Sequence, residues 1–88
     1  MIAKRSYGKF IKRIDSIGLL KGAESRCRAF HISLRDLYEG QGRTPSIASA
    51  RRAVYRWLRD GGKSINEIAR LFDRAPSGIM KMTRAPGP

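Results

Sequence analysis

Ser64-Ile65-Asn66-Glu67-Ile68-Ala69-Arg70-Leu71-Phe72-Asp73-Arg74-Ala75-Pro76-Ser77-Gly78-Ile79-Met80-Lys81-Met82 carries two helix signals separated by a break. Ser64 with Glu67 three residues later spells a capping box, which predicts a helix beginning at Ile65. Ile65, Ile68, Ala69 and Phe72 then share one helical face. The period fails at Asp73-Arg74-Ala75. Pro76, tolerated in a first helical turn but not in an interior, marks a second helix running to about Arg84. Ile79 and Met82 give that helix its buried side, with Ile79 as the apolar plug and the small Ala69 where the two helices approach. Two short helices with a three- or four-residue turn form the helix-turn-helix pattern. An αα-hairpin that serves only as core has the same pattern, so the rest of the chain has to decide between them.

Directly before this stretch lies the longest helical signal. Ser46 is placed to cap a helix over about Ile47 to Asp60, which Gly61-Gly62 ends. Ile47, Ala50, Val54, Trp57 and Leu58 form its apolar stripe, with Trp57 expected at the centre of the core. Arg52, Arg56 and Arg59 form a second stripe, flanked by Arg51 and Tyr55. No acid stands among these arginines, and like charges three and four apart repel. Such a row is a solvated helix face or, beside a helix-turn-helix, a phosphate-binding one.

Further out, Gly40-Gln41-Gly42-Arg43-Thr44-Pro45 reads as a loop. Upstream, Phe10, Ile11, Ile14 and Ile17 predict a helix over about Tyr7 to Ile17, ended or bent by Gly18 and Gly22. Cys27 and Phe30 continue a helical pattern over Ala23 to Phe30. His31-Ile32 reads as an extended link, and Ser33 as the cap of a brief helix from Leu34 to Tyr38. The chain is therefore expected to be all-α, a small bundle of about five short helices containing a helix-turn-helix. A single domain over residues 7–84 is expected, with a basic tail at 1–6 and a frayed end at 85–88.

Of the 88 residues, 19 are Lys or Arg and 7 are Asp or Glu, a formal net charge of +12. A field of that size repels itself and suits a polyanionic partner. Cys27 is the only cysteine and His31 the only histidine. No internal disulfide, multi-cysteine zinc site or histidine-based catalytic set can be assembled from them, so neither enzyme activity nor a cofactor is expected. Cys27 itself reads as a small buried apolar residue. No apolar run reaches the ~20 residues of a membrane-spanning helix, and the start of the chain lacks the apolar core of a signal peptide. The expected location is the cytoplasm, in association with the nucleoid.

The order of a short helix with Ser33-Leu34-Arg35-Asp36-Leu37, a basic loop, Ala48-Ser49-Ala50-Arg51-Arg52-Ala53-Val54-Tyr55-Arg56-Trp57-Leu58, then Ser64-Ile65-Asn66-Glu67-Ile68 resembles the C-terminal duplex-DNA-binding domain of the bacterial replication initiator DnaA. The resemblance covers about Ala23 to Arg84. It implies that Arg43 enters a minor groove, that Arg51, Arg52 and Arg59 contact phosphates, and that Ser64 and Asn66 touch the DNA backbone. The sequence departs from the family at the start of the last helix, where Ala75-Pro76-Ser77-Gly78 replaces the family's base-reading Asp-His-Thr-Thr. The family's DNA box and its ATP-dependent initiation therefore do not carry over. The last hairpin is also similar to the helix-turn-helix of some insertion-sequence transposases, whose Arg-Ser-Pro-Ser-Thr run is similar to Arg74-Ala75-Pro76-Ser77-Gly78.

These readings give a duplex-DNA-binding regulator of transcription or replication, of modest sequence preference, with the last helix in the major groove. Ser77 and Gly78 would face base edges, while Arg52, Arg56, Arg59, Ser64, Arg74, Lys81 and Arg84 would hold phosphates. A homodimer or larger assembly would multiply its selectivity. Two alternatives use other residues. A membrane-surface protein would use the apolar face of Phe10, Ile11, Ile14 and Ile17. An RNA-binding protein would need exposed aromatics, for which Tyr55 is the candidate.

Overall fold

The computed structural model describes residues 7–40 and 44–83. Among them are six helices and no strand: α1 (Tyr7–Ser16), α2 (Leu20–Ala29), α3 (Leu34–Glu39), α4 (Pro45–Asp60), α5 (Ile65–Phe72) and α6 (Pro76–Thr83). The fold is all-α, with one helix more than the sequence pattern suggested.

Two starts follow directly from local chemistry. Ser33 Oγ accepts from Asp36 N at 3.0 Å and Ser64 Oγ from Glu67 N at 3.1 Å. In each case the acid accepts the cap residue's own amide in return, so two orphan N–H groups are satisfied reciprocally. The start of α4 differs from expectation. Its N-cap is Thr44, not Ser46, because Pro45 fits the first helical position, where its missing N–H and fixed φ do no harm.

Four helices end alike. Gly18, His31, Gly62 and Asp73 take left-handed φ of 74°, 58°, 96° and 54°. After each, the next amide reaches back five residues, as in Leu19 N to Ile14 O at 3.1 Å and Arg74 N to Ala69 O at 2.9 Å. This is the Schellman arrangement, which satisfies carbonyls the helix leaves open. The His31-Ile32 link is therefore not extended: His31 closes α2. Gly22 does not break a helix either; it lies inside α2, where an added Cβ would stand 2.5 Å from Trp57 Cζ2. Its role is the close approach of α2 to α4.

The core is aromatic and joins four helices. Phe10 of α1 stacks on Tyr38 of α3 with centroids 4.5 Å apart and tilts against Phe72 of α5 at 5.0 Å. Phe72 in turn meets Tyr55 of α4 edge to face at 5.0 Å. All four rings are fully buried, together with Ile14, Ala23, Leu37, Val54, Leu58, Ile68 and Ile79. Two expectations are corrected here. Trp57 is only partly buried, packed on Gly22 and covered by the Arg26 guanidinium at 3.9 Å from its ring, so Leu58 and Tyr55 occupy the centre instead. Tyr55 is the aromatic that faces inward.

Candidate nucleic-acid interface

The turn between α5 and α6 is fixed by side chains from distant helices. Asp73, left-handed at the end of α5, accepts hydrogen bonds from Tyr38 OH and from Arg13 Nη2, the latter at 2.7 Å. Arg13 Nη2 also donates to Leu71 O at 3.0 Å. The turn is thereby tied to α1 and α3. Burial, and then the bond to Asp73, hold the Tyr38 phenol above its ordinary pKa.

Two arginines expected on phosphates serve the fold instead. Arg51 is only 4% exposed. Its Nε donates to Leu37 O at 2.8 Å and its Nη2 to Gly40 O at 2.5 Å. Arg74 Nη2 donates to Tyr38 O at 2.9 Å. The six-residue α3 leaves its last carbonyls without helical partners, and these two guanidinium groups supply the donors. Arg51 is thus corrected from a phosphate contact to a buried helix clamp, and the bonded Nη2 of Arg74 is directed at α3.

α6 presents its other side outward. Ile79 is buried, while Ser77, Met80 and Lys81 are exposed on the opposite arc. On one flank, Asn66 and Arg70 of α5, one turn apart, line the cleft toward Pro76 of α6. On the other, a cleft of about 330 Å³ separates α6 from α4 and is lined by Arg51, Tyr55, Gly78, Ile79 and Met82. Arg52 and Arg59, three before and four after Tyr55, stand exposed along the same side of α4. Among the described residues, the side chains of Arg52, Arg59, Arg70 and Lys81 take part in no hydrogen bond or ion pair. The acids of the pair are both engaged: Asp73 as above, and Glu67 in the cap of Ser64, whose hydrogen bonds hold its carboxyl below the usual range.

Arg52, Arg59, Asn66, Ser77, Gly78 and Lys81 therefore all stand exposed on α4, α5 and α6, three helices packed on one another. Ser64 is exposed at the start of α5 with its oxygen already accepting the Glu67 amide. Arg56, one turn after Arg52 on α4, is half-buried and engaged with other groups of the protein. Arg43 and Arg84 lie outside the described residues. Arg70 is the addition. It is four residues from Asn66 on the polar side of α5, a spacing visible in the sequence.

No protein-family model, curated protein or solved structure matches this chain.

Two further placements bear on function. Phe10 and Ile14 are buried in the core, Ile11 packs against it, and Ile17 alone of that apolar face is exposed. Every Phe, Tyr and Trp is at least partly buried, and Tyr55 completely so. Among the described residues, most of the apolar face of α1 is thus turned into the core, and no aromatic ring stands fully exposed. Among the described residues, no helix is long and apolar enough to cross a membrane, and no three His, Cys, Asp or Glu side chains group as metal ligands.

Proposed function

We propose that this domain binds duplex DNA, with α6 in the major groove and α4 and α5 against the phosphates on either side. The observation that supports this most is the pair of uncompensated cationic flanks. Arg70 stands exposed on α5, Arg52 and Arg59 stand exposed on α4, the two helices that pack on α6, and Lys81 lies on α6 itself. Exposed arginines whose side chains form no hydrogen bond or ion pair within the protein are suited to displace counterions from a polyanion. The three-residue link, the buried Ile79 and the capped α5 are the geometry a helix-turn-helix uses to project its second helix. The order of basic loop, long helix and helical pair that resembles the DnaA C-terminal domain supports the same docking.

Gly78 fits this reading. An added Cβ there would meet nothing within 4 Å, so internal packing does not require glycine at that position. A helix interior disfavours glycine by about 0.5–1 kcal/mol relative to alanine. Close approach of a groove edge to the α6 backbone gives the missing side chain a use. Ser77 is the polar base reader on the exposed arc, which fits modest sequence preference.

Salt dependence tests the proposal. With Arg51 and the bonded Nη2 of Arg74 committed to α3, the four outward cations predict a slope of log affinity against log salt of about −3.6, a loss of about 10²-fold between 50 and 200 mM. A nearly flat titration with random duplex DNA would remove the proposal.

A further inference from the structure

Among the described residues, two large apolar side chains are exposed: Ile17 at 42% and Met80 at 48%. A lone exposed apolar residue is ordinary on a protein surface. Met80 differs in its position. It stands three residues after Ser77 on the outward arc of α6, with the Asn66 and Arg70 flank on one side and Lys81 on the other.

We propose that Met80 reads the 5-methyl group of a pyrimidine in the major groove, an inference that rests on the placement of α6 there. A thioether is only a weak acceptor and has no proton to donate, so it cannot read the hydrogen-bonding edge of a base with any strength. The one apolar group that a base pair displays in the major groove is the methyl at pyrimidine C5. An unbranched Met side chain can adjust to it by rotation about its own bonds. Thymine carries this methyl, and 5-methylcytosine carries it at the same ring position. Ser77 and Met80 then divide the reading: the hydroxyl takes a polar edge and the thioether a methyl within one helical turn.

The test compares duplexes that differ only in that methyl. Affinities are measured for alternating A·T against alternating A·U duplexes, and for alternating G·C against the same duplex with 5-methylcytosine, using the native chain and Met80→Ala. Burial of one methyl predicts about fourfold tighter binding to the methylated member of a pair. That preference is expected to vanish in Met80→Ala, whose circular dichroism should match the native chain because Met80 is exposed. A preference in the thymine pair alone assigns the methyl to thymine, one in the cytosine pair alone to 5-methylcytosine, and one in both to the group on either base. Equal affinity within both pairs overturns the inference, as does a methyl preference that persists in Met80→Ala. Absence of binding to any of the four duplexes overturns the duplex-DNA reading itself, an outcome distinct from methyl-blind binding.

Discussion

Arg51 and Arg52 are consecutive in α4 and face opposite environments: Arg51 is 4% exposed and clamps the Leu37 and Gly40 carbonyls, while Arg52 is exposed. One helical step of about 100° separates a structural arginine from a proposed phosphate contact.

Their alanine variants should therefore separate stability from affinity. Arg51→Ala strips buried carbonyls of their donors, so a loss of about 2–3 kcal/mol is expected, with the salt slope of DNA binding unchanged in the folded fraction. Arg52→Ala should keep stability within about 0.5 kcal/mol and make the salt slope shallower by about one. Thermal denaturation and fluorescence anisotropy on labelled duplexes read the two quantities. If Arg51→Ala flattens the slope while Arg52→Ala does not, the docking through α4 is wrong.

Gly22 and Gly78 make a second contrast, since both lie inside helices and alanine should act on them with opposite sign. At Gly78 a Cβ meets nothing within 4 Å, whereas at Gly22 it would stand 2.5 Å from the Trp57 ring. Gly78→Ala should stabilise the domain by up to about 1 kcal/mol and weaken DNA binding. Gly22→Ala should cost about 1–3 kcal/mol by forcing α2 from α4, with a red shift of Trp57 fluorescence. A Gly78→Ala variant of unchanged affinity would mean that the α6 backbone stays clear of the groove.

These positions also show what can be read from sequence. The capping box at Ser64 and the cap at Ser33 were legible because their chemistry is local: a hydroxyl and a carboxylate three residues apart satisfy each other's backbone amides, an arrangement the structure shows at both. So was the break before Pro76. Arg51 was not, because its partners are carbonyls of α3, separated from it by 14 and 11 residues, and a charge on a helix carries no mark of a distant acceptor. The Trp57 and Tyr55 assignments exchanged places for a similar reason. Both lie at the edge of the apolar stripe of α4, and which edge is covered depends on where α2 and α6 sit. Arg70 could have been found from its spacing to Asn66.

The left-handed residues His31 and Asp73 give a prediction about strain. A non-glycine residue in this region costs about 1–2 kcal/mol. His31 is exposed, with φ of 58°, and no polar partner for its side chain is present among the described residues. His31→Gly should therefore raise stability by about 0.5–1 kcal/mol after the entropy of glycine in the unfolded chain is counted, and raise the melting temperature by a few degrees. Asp73→Gly relieves the same strain but removes the carboxylate that Arg13 and Tyr38 share. A net loss of about 1 kcal/mol or more is expected, together with weaker DNA binding as the α5–α6 turn loosens. Equal gains in both variants would show that the Asp73 network does not hold the turn.

Cys27 gives the pH dependence its alkaline limb. Burial in α2, and then the charges of Glu24 and Asp36, push its thiol from 9.0 up to about 11. Between these values the unfolded chain gives up its proton while the folded chain keeps it, so the unfolded state binds fewer protons and stability falls as pH rises from about 9 to about 11. The raised Tyr38 phenol acts in the same direction above its ordinary value of 10.0. Cys27→Ala, compared with the native chain in urea melts at pH 7, 9 and 10.5, should show a shallower alkaline decline. At pH 8 the shift alone lowers the thiolate fraction of the folded protein by about 100-fold. A disulfide reagent should accordingly label native Cys27 at least that much more slowly than the denatured chain, and labelling at comparable rates would place the thiol at the surface, contrary to its position between α2 and the core.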